Sequence, residues 1–248
     1  MKRILIIGAT SAIAEACARE WLQQDDACQF VLTGRDRNKL DMIKADLQTR
    51  GAQKVDTLLL DINDLESHAT IIQEAGCFLG QLDRVLVAPG ALPDQALCQQ
   101  DLVYARESIN TNATSIMMLL EQLATTLEHQ RTGHLVVISS VAGDRGRMSN
   151  YFYGAAKAAV TVFCSGLMMR LQKSGVSVSV IKPGFVQTPM TADLNLPDKL
   201  VATPEQVARV IVKGSERQQG VIYAPGFWLF IMAIIRLIPT AIFKRLSL

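Results

Sequence analysis

Short runs of apolar, largely β-branched residues alternate along the chain with stretches whose apolar positions recur at helical spacing. The runs fall at residues 3–7, 30–33, 55–60, 84–87, 135–138, 176–181 and 221–223. They are almost wholly apolar, as strands covered on both faces must be. Between them lie helix-period segments such as Leu40, Ile43 and Leu47, which follow the turn-forming Asp36-Arg37-Asn38. This alternation predicts an α/β fold of Rossmann type: a doubly wound, mostly parallel seven-stranded sheet with right-handed crossovers and helices on both faces. Ligands of such sheets bind beyond the carboxyl ends of the strands, where the strand order reverses. No internal repeat breaks the pattern, so residues 1–225 read as one domain and 226–248 as an apolar and basic tail.

Composition narrows the class. The chain has 248 residues, 49% hydrophobic and 19% charged, with a formal net charge of +2. That balance argues against a polyelectrolyte partner, nucleic acid included. Five cysteines, Cys17, Cys28, Cys77, Cys98 and Cys164, are odd in number and scattered, which points to a reducing, cytoplasmic location. His68, His129 and His134 lack metal-ligand spacing, so no metal is expected and they read as core or surface residues. The start imitates an export signal, with Lys2 and Arg3 before Ile4-Leu5-Ile6-Ile7 and a later Ala12-Ile13-Ala14, but the apolar run ends too early at Gly8.

Candidate chemistry sits at the predicted strand ends. The first strand enters Gly8-Ala9-Thr10-Ser11-Ala12-Ile13-Ala14 and then a helix, a turn that aims backbone amides at an anion such as a dinucleotide pyrophosphate. Only Gly8 is a glycine there, and a plain strand-to-helix turn is the competing reading. The second strand ends in Thr33-Gly34-Arg35, a cation where an NAD site places an acid. Arg35, assisted by Arg37, therefore favours NADP(H), with NAD(H) open and a solvated loop arginine as the alternative. Asp61 is placed either to accept from an adenine amino group or to cap the helix before Leu65. Tyr153 and Lys157 share a helical face four residues apart, and an ammonium there would lower the phenol pKa and ease proton transfer. Ser140 supplies a hydroxyl that can hold a substrate oxygen.

The ordered set of Gly8, Asp61, Ser140, Tyr153, Lys157 and Pro183-Gly184-Phe185-Val186-Gln187-Thr188 resembles the short-chain dehydrogenase/reductase superfamily over nearly the whole chain. The resemblance implies a nicotinamide-dependent oxidoreductase acting on CH–OH/C=O groups. It selects Ser140 over Ser139 by its distance from Tyr153, and Asn112 over Asn110 as the residue holding a proton-relay water near Lys157. It gives Lys157 a second role on the nicotinamide ribose. It assigns cofactor contacts to Gly8, Thr10, Ser11, Ile13, Ile62, Ala88 and Gly90, and the nicotinamide end to Pro183, Gly184, Val186 and Thr188. A homodimer or homotetramer is implied as well. Two departures stand out: Val87-Ala88-Pro89-Gly90 replaces the usual N-N-A-G, and alanines replace glycines in the phosphate turn.

The tail runs Phe227-Trp228-Leu229-Phe230-Ile231-Met232-Ala233-Ile234-Ile235 before Arg236, Pro239 and Lys244-Arg245. With no polar face it must be buried in protein or lipid, yet it is too short to span a bilayer. A subunit contact is one expectation. A helix lying on the inner membrane surface, with Trp228 and the basic residues at headgroup level, is the other. The tail, together with Ala142-Gly143-Asp144-Arg145-Gly146-Arg147, is similar to a branch of the superfamily containing the reductase subunit of decaprenylphosphoryl-ribose 2′-epimerase. That similarity implies a lipid-linked 2-keto sugar as substrate and an oxidase partner subunit. Arg145 or Arg147 would then clamp its phosphodiester. Residues 188–203 are expected to close the site. A general carbonyl or hydroxysteroid-type reductase, and a catalytically silent cofactor-binding subunit, are the competing readings.

Overall fold

The computed structural model describes residues 2–25, 27–192 and 194–246. The predicted alternation is present as β1 (Arg3–Ile7), α1 (Ala12–Gln24), β2 (Gln29–Gly34), α2 (Arg37–Thr49), β3 (Lys54–Leu59), α3 (Ser67–Leu79) and β4 (Arg84–Val87). Then follow α4 (Gln95–Gln100), α5 (Leu102–Ile109), α6 (Ser115–Gln130), β5 (His134–Ile138), α7 (Tyr151–Leu171) and β6 (Ser177–Pro183). The chain continues through β7 (Phe185–Val186), β8 (Val201–Ala202), α8 (Pro204–Glu216), β9 (Val221–Ala224), α9 (Trp228–Leu237) and α10 (Thr240–Phe243). Seven strands form one parallel sheet in the order β3-β2-β1-β4-β5-β6-β9. The order reverses at β1, which pairs with β2 on one side and β4 on the other.

Alternation along each strand divides the core between the two faces. Ile4 and Ile6 of β1 and Val136 of β5 join Trp21, Leu40 and Ile211 on one side. Leu5, Ile7 and Val137 join Leu79, Leu120 and Val160 on the other. Every predicted strand is present, with ends differing by at most two residues. Residues 3–7, which resemble an export signal in sequence, are an interior strand of the sheet, paired on both sides. His68 is buried against the carbonyl of Ile62 at 2.9 Å, and His134 is buried beside Ser179 at 2.9 Å. The described residues contain no cluster of metal-ligating side chains.

One element carried no sequence signal. Phe185 and Val186 pair with Val201 and Ala202 in a two-stranded parallel ribbon, too short to show any periodicity. The ribbon pins both ends of the segment expected to close the site, and Gln187 N–H adds a bond to the Ala202 carbonyl at 2.9 Å.

Candidate active site

The strand reversal places the end of β1 against the end of β4. Gly8 has φ of +77°, and a Cβ built on it would lie 2.8 Å from the Pro89 nitrogen. Glycine is required at this position twice over, for the dihedral and for the close approach of the β4 loop. No other residue of the turn has positive φ, so the alanines at 12 and 14 carry no conformational penalty. Ser11 precedes α1 in extended conformation without a side-chain cap, which leaves the first amide groups of the helix, Ile13 among them, directed out of the turn. Ala88 is buried, with its amide on the Ile7 carbonyl at 2.9 Å.

At the end of β2 Arg35 is exposed and forms no ion pair among the described residues. Arg37 is held elsewhere, its guanidinium donating to Thr57 Oγ1 of β3 at 3.2 Å. Lys39, which drew no attention in the sequence, lines a cavity of about 250 Å³ together with Thr10. It stands four positions after Arg35, and that spacing of cations was the available signal. Asp61 accepts from its neighbour Asn63 N–H at 2.9 Å and closes a local turn. The following helix starts at Ser67, so Asp61 is not its N-terminal cap. Ile62 is buried, and its carbonyl is taken by His68.

The structure brings Asn112, Ser140, Tyr153 and Lys157 into one cluster. Ser140 follows β5, and its hydroxyl accepts from Ala142 N–H at 3.1 Å and lies near enough to the Tyr153 phenol to lower its pKa. Its neighbour Ser139 points the other way and is consumed by α7, bonding the Lys157 carbonyl at 3.0 Å and Thr161 Oγ1 at 2.7 Å. Lys157 is 2% exposed; its ammonium donates to the Ile138 carbonyl at 3.2 Å and lies 5.7 Å from the Tyr153 ring centre. A Cβ on Gly90 would meet both Lys157 Nζ and Asn112 Oδ1 at 3.3 Å, so the β4 loop touches the amide and the ammonium together. Asn112 is 1% exposed, accepts from Ala91 N–H at 3.0 Å and donates to the Ser108 carbonyl at 3.0 Å.

Three features that the sequence did not display hold this cluster. Asn112 lies in a π-helical turn, Asn110–Thr114, between α5 and α6, a widening typical of functional positions. Asn63 clips that turn, donating to Thr111 Oγ1 at 2.9 Å and accepting from Ser115 Oγ at 2.9 Å. The 3-10 turn Val141–Asp144 packs backbone to backbone on α7. Added Cβ atoms at Gly143 and Gly154 would lie 2.8 Å from Ala158 N and from the Ala142 carbonyl oxygen.

Burial decides the protonation of the pair. The Tyr153 phenol is pushed up to about 12 by desolvation, with the nearby Ser140 hydroxyl acting in the other direction. The ammonium is not what acts on it, contrary to the sequence expectation: desolvation is the largest cause, and the only opposing one is the Ser140 hydroxyl. Lys157 is itself drawn down to about 8 by burial. The site therefore holds a protonated phenol beside a buried ammonium at neutral pH.

The nicotinamide-end candidates form the rim. Pro183 is buried at the end of β6, and Gly184 N–H donates to the Ala224 carbonyl at 3.1 Å. Val186 is buried in the ribbon, and Thr188 accepts the local cap of Thr191, whose hydroxyl also reaches the Val186 carbonyl at 2.6 Å.

Arg145 and Arg147 do not stand free to clamp a substrate. Arg145 donates to the carbonyls of Ile235 at 2.5 Å, Arg236 at 3.2 Å and Ile238 at 2.6 Å, and lies 3.8 Å over the Phe243 ring. It satisfies the orphan carbonyls at the end of α9. Arg147 turns to Met232 Sδ at 3.4 Å, and its burial lowers the guanidinium pKa. Trp228 is likewise displaced from its expected headgroup position. It is 3% exposed, edge-on to Phe185 at 5.1 Å, in a slot that any Cβ at Gly184 would fill.

Residues 2–199 match the short-chain dehydrogenase family. The chain is 32% identical over 243 residues to an uncharacterised oxidoreductase of Mycobacterium tuberculosis, covering 98% of this chain and 96% of the relative. It is 33% identical over 245 residues to an uncharacterised oxidoreductase of Streptomyces coelicolor, covering 99% and 96%. Among solved structures it is similar to a short-chain dehydrogenase from Sphingobium yanoikuyae in complex with NADPH, with TM-score 0.82, 24% identity and coverage of 97% and 98%. A second is a single-residue variant of actinorhodin polyketide ketoreductase with NADPH, at TM-score 0.80, 19% identity and coverage of 91% and 97%. The chain belongs to the short-chain dehydrogenase family. As a member it is a nicotinamide-dependent oxidoreductase.

Proposed function

We propose that the protein is an NADPH-dependent ketoreductase in which Tyr153 gives the proton, Ser140 holds the carbonyl oxygen and Lys157 supplies the supporting positive charge. The observation that carries this reading is the buried Lys157 ammonium, 2% exposed and 5.7 Å from the Tyr153 ring, with the Ser140 hydroxyl beside the phenol. The crevice suits a dinucleotide: Gly8 gives the turn its positive φ against the β4 loop, uncapped amides open α1, and the exposed Arg35 suits a 2′-phosphate better than a bare ribose hydroxyl. Gly8, Thr10, Ser11 and Ile13 would hold the pyrophosphate, Asp61 and Ile62 the adenine, and Ala88, Gly90, Pro183, Gly184, Val186 and Thr188 the nicotinamide half. When bound, the nicotinamide supplies the hydride.

The chain's own residues then have separate tasks. Ser140 donates to the substrate oxygen and fixes its position beside the phenol. Tyr153, held protonated by burial, donates as negative charge develops on that oxygen, and this resting state suits reduction. Lys157 stabilises the phenolate left behind, and Asn112, fixed by Ala91 and Ser108, would hold the water that returns the proton. Purified protein given NADPH or NADH with a panel of ketones, followed by reduced-cofactor absorbance, tests the reading. Turnover with NADPH that is lost in Tyr153→Phe while cofactor binding persists supports it. Cofactor binding without turnover on any ketone would instead favour a silent binding subunit.

A lipid-linked 2-keto sugar, supplied by a partner oxidase, is the substrate reading favoured by the apolar α9 packed on the turn that follows Ser140. With Arg145 and Arg147 engaged by the tail, the reading rests on apolar contact rather than on a phosphodiester clamp. A lower KM for a polyprenyl-phosphate 2-keto pentose than for its short-chain analogue supports it, and equal values point to a general carbonyl reductase. The exposed Val162 and Met169 on α7 support a homo-oligomer.

A further inference from the structure

The C-terminal segment has two apolar faces, and the fold uses only one. The inner face buries Trp228 and Met232 against Val141, with Phe185 and Leu200 packed around them. The outer face repeats at helical spacing: Phe230 is 71% exposed, Ile234 66% and Leu237 82%, and Ile242 of α10 continues it at 55%. A loose tail would fold such a stripe back onto the protein. This one is held outward, because Arg145 ties the end of α9 to the body through three carbonyls and covers Phe243.

Charge identifies the occupant. The sequence contains no acidic residue after Glu216, while the exposed Lys244 and Arg245 follow the stripe. A second copy laid on the same face would bring these cations against their own counterparts with no carboxylate to neutralise them. A neutral partner would leave them without a role. With ten residues, α9 is too short to cross a bilayer. We infer that α9 and α10 dock the protein on an anionic bilayer surface, the outer stripe entering the acyl boundary and Lys244 and Arg245 meeting lipid phosphates.

Docking would place one wall of the active site at the lipid, because the inner face of the same helix packs on Val141, next to Ser140. The inference stands without the substrate reading above: a reductase of soluble ketones could dock in the same way.

The test is co-sedimentation of the full chain with vesicles of phosphatidylcholine alone or mixed with phosphatidylglycerol. Binding to the mixed vesicles, weak on neutral ones and falling with salt, is expected. Phe230→Asp with Ile234→Asp should abolish it while leaving the thermal transition and NADPH-dependent turnover of a water-soluble ketone intact. Lys244→Glu with Arg245→Glu should weaken partitioning by roughly tenfold or more and remove the preference for anionic lipid. Three outcomes overturn the inference: equal recovery in the supernatant with both vesicles, binding unchanged in the aspartate variant, or a lipid-free dimer that the aspartate variant converts to monomer. Failure to bind vesicles alongside normal ketone turnover would remove the docking alone and leave the proposed reaction standing.

Discussion

Replacing Lys157 by methionine should stabilise the protein while destroying its turnover. The side chain is 2% exposed and its ammonium has one protein acceptor, the Ile138 carbonyl at 3.2 Å. Burial draws its pKa from 10.5 to about 8, which corresponds to about 3 kcal/mol against the charged form in the folded state. Methionine fills a similar volume without charge, and the carbonyl that loses its donor costs about 1 kcal/mol in return. Lys157→Met should therefore exceed the parent by about 2 kcal/mol at neutral pH in urea unfolding. The pH dependence is the signature. Between pH 8 and 10.5 the unfolded chain still holds this proton and the folded chain has released it, so the parent gains stability as pH rises through that window. The variant has no such gain, and its advantage should shrink and invert towards about pH 10. A variant less stable than the parent by the same amount at both ends of the range would refute the burial argument. Loss of turnover with retained folding would show what the buried cation is for.

Other perturbations act on separate parts of the molecule. Gly154→Ala forces a Cβ to within 2.8 Å of the Ala142 carbonyl oxygen, so it should cost about 1–3 kcal/mol and lower kcat by separating Ser140 from Tyr153, as thermal unfolding and steady-state kinetics would show. Arg35→Asp should reverse the cofactor preference towards NADH, measured as the ratio of kcat/KM for the two cofactors, and an unchanged ratio would remove Arg35 from the site. Asp144 accepts from buried Lys182 and from Tyr223 OH at 2.6 Å, so Asp144→Asn should cost about 3–5 kcal/mol by leaving a buried ammonium unpaired. His134 is held down to about 4 by burial and by Arg84, and this depressed value makes the parent lose stability as pH falls from 6.5 towards 4, by up to about 3 kcal/mol. His134→Gln keeps a donor and an acceptor without titrating, and acid unfolding of this variant should lack that component.

The strands were readable because both faces of the sheet are covered, which makes residues such as Ile4 to Ile7 apolar without interruption. The motif residues were readable because the chain presents them at strand ends and on one turn of α7, where spacing translates into position. What escaped are contacts whose partner is backbone. The π-helical turn around Asn112 leaves hydropathy unchanged, since it alters the hydrogen-bond register and not the side-chain pattern. Ser139 and Ser140 are equivalent as letters; only the extended backbone that continues past β5 sends one to the α7 backbone and the other towards the phenol. Arg145 and Arg147 drew a substrate role because a sequence shows charge and not direction, whereas the acceptors of Arg145 are carbonyls that a helix end ninety residues later leaves unsatisfied. Trp228 is a membrane-interface residue by type and a core residue by position, because Gly184, forty-four residues earlier, leaves a slot that admits an indole. Removing that slot should therefore expose the indole and loosen α9 together, linking a small residue on the rim of the site to the whole C-terminal surface.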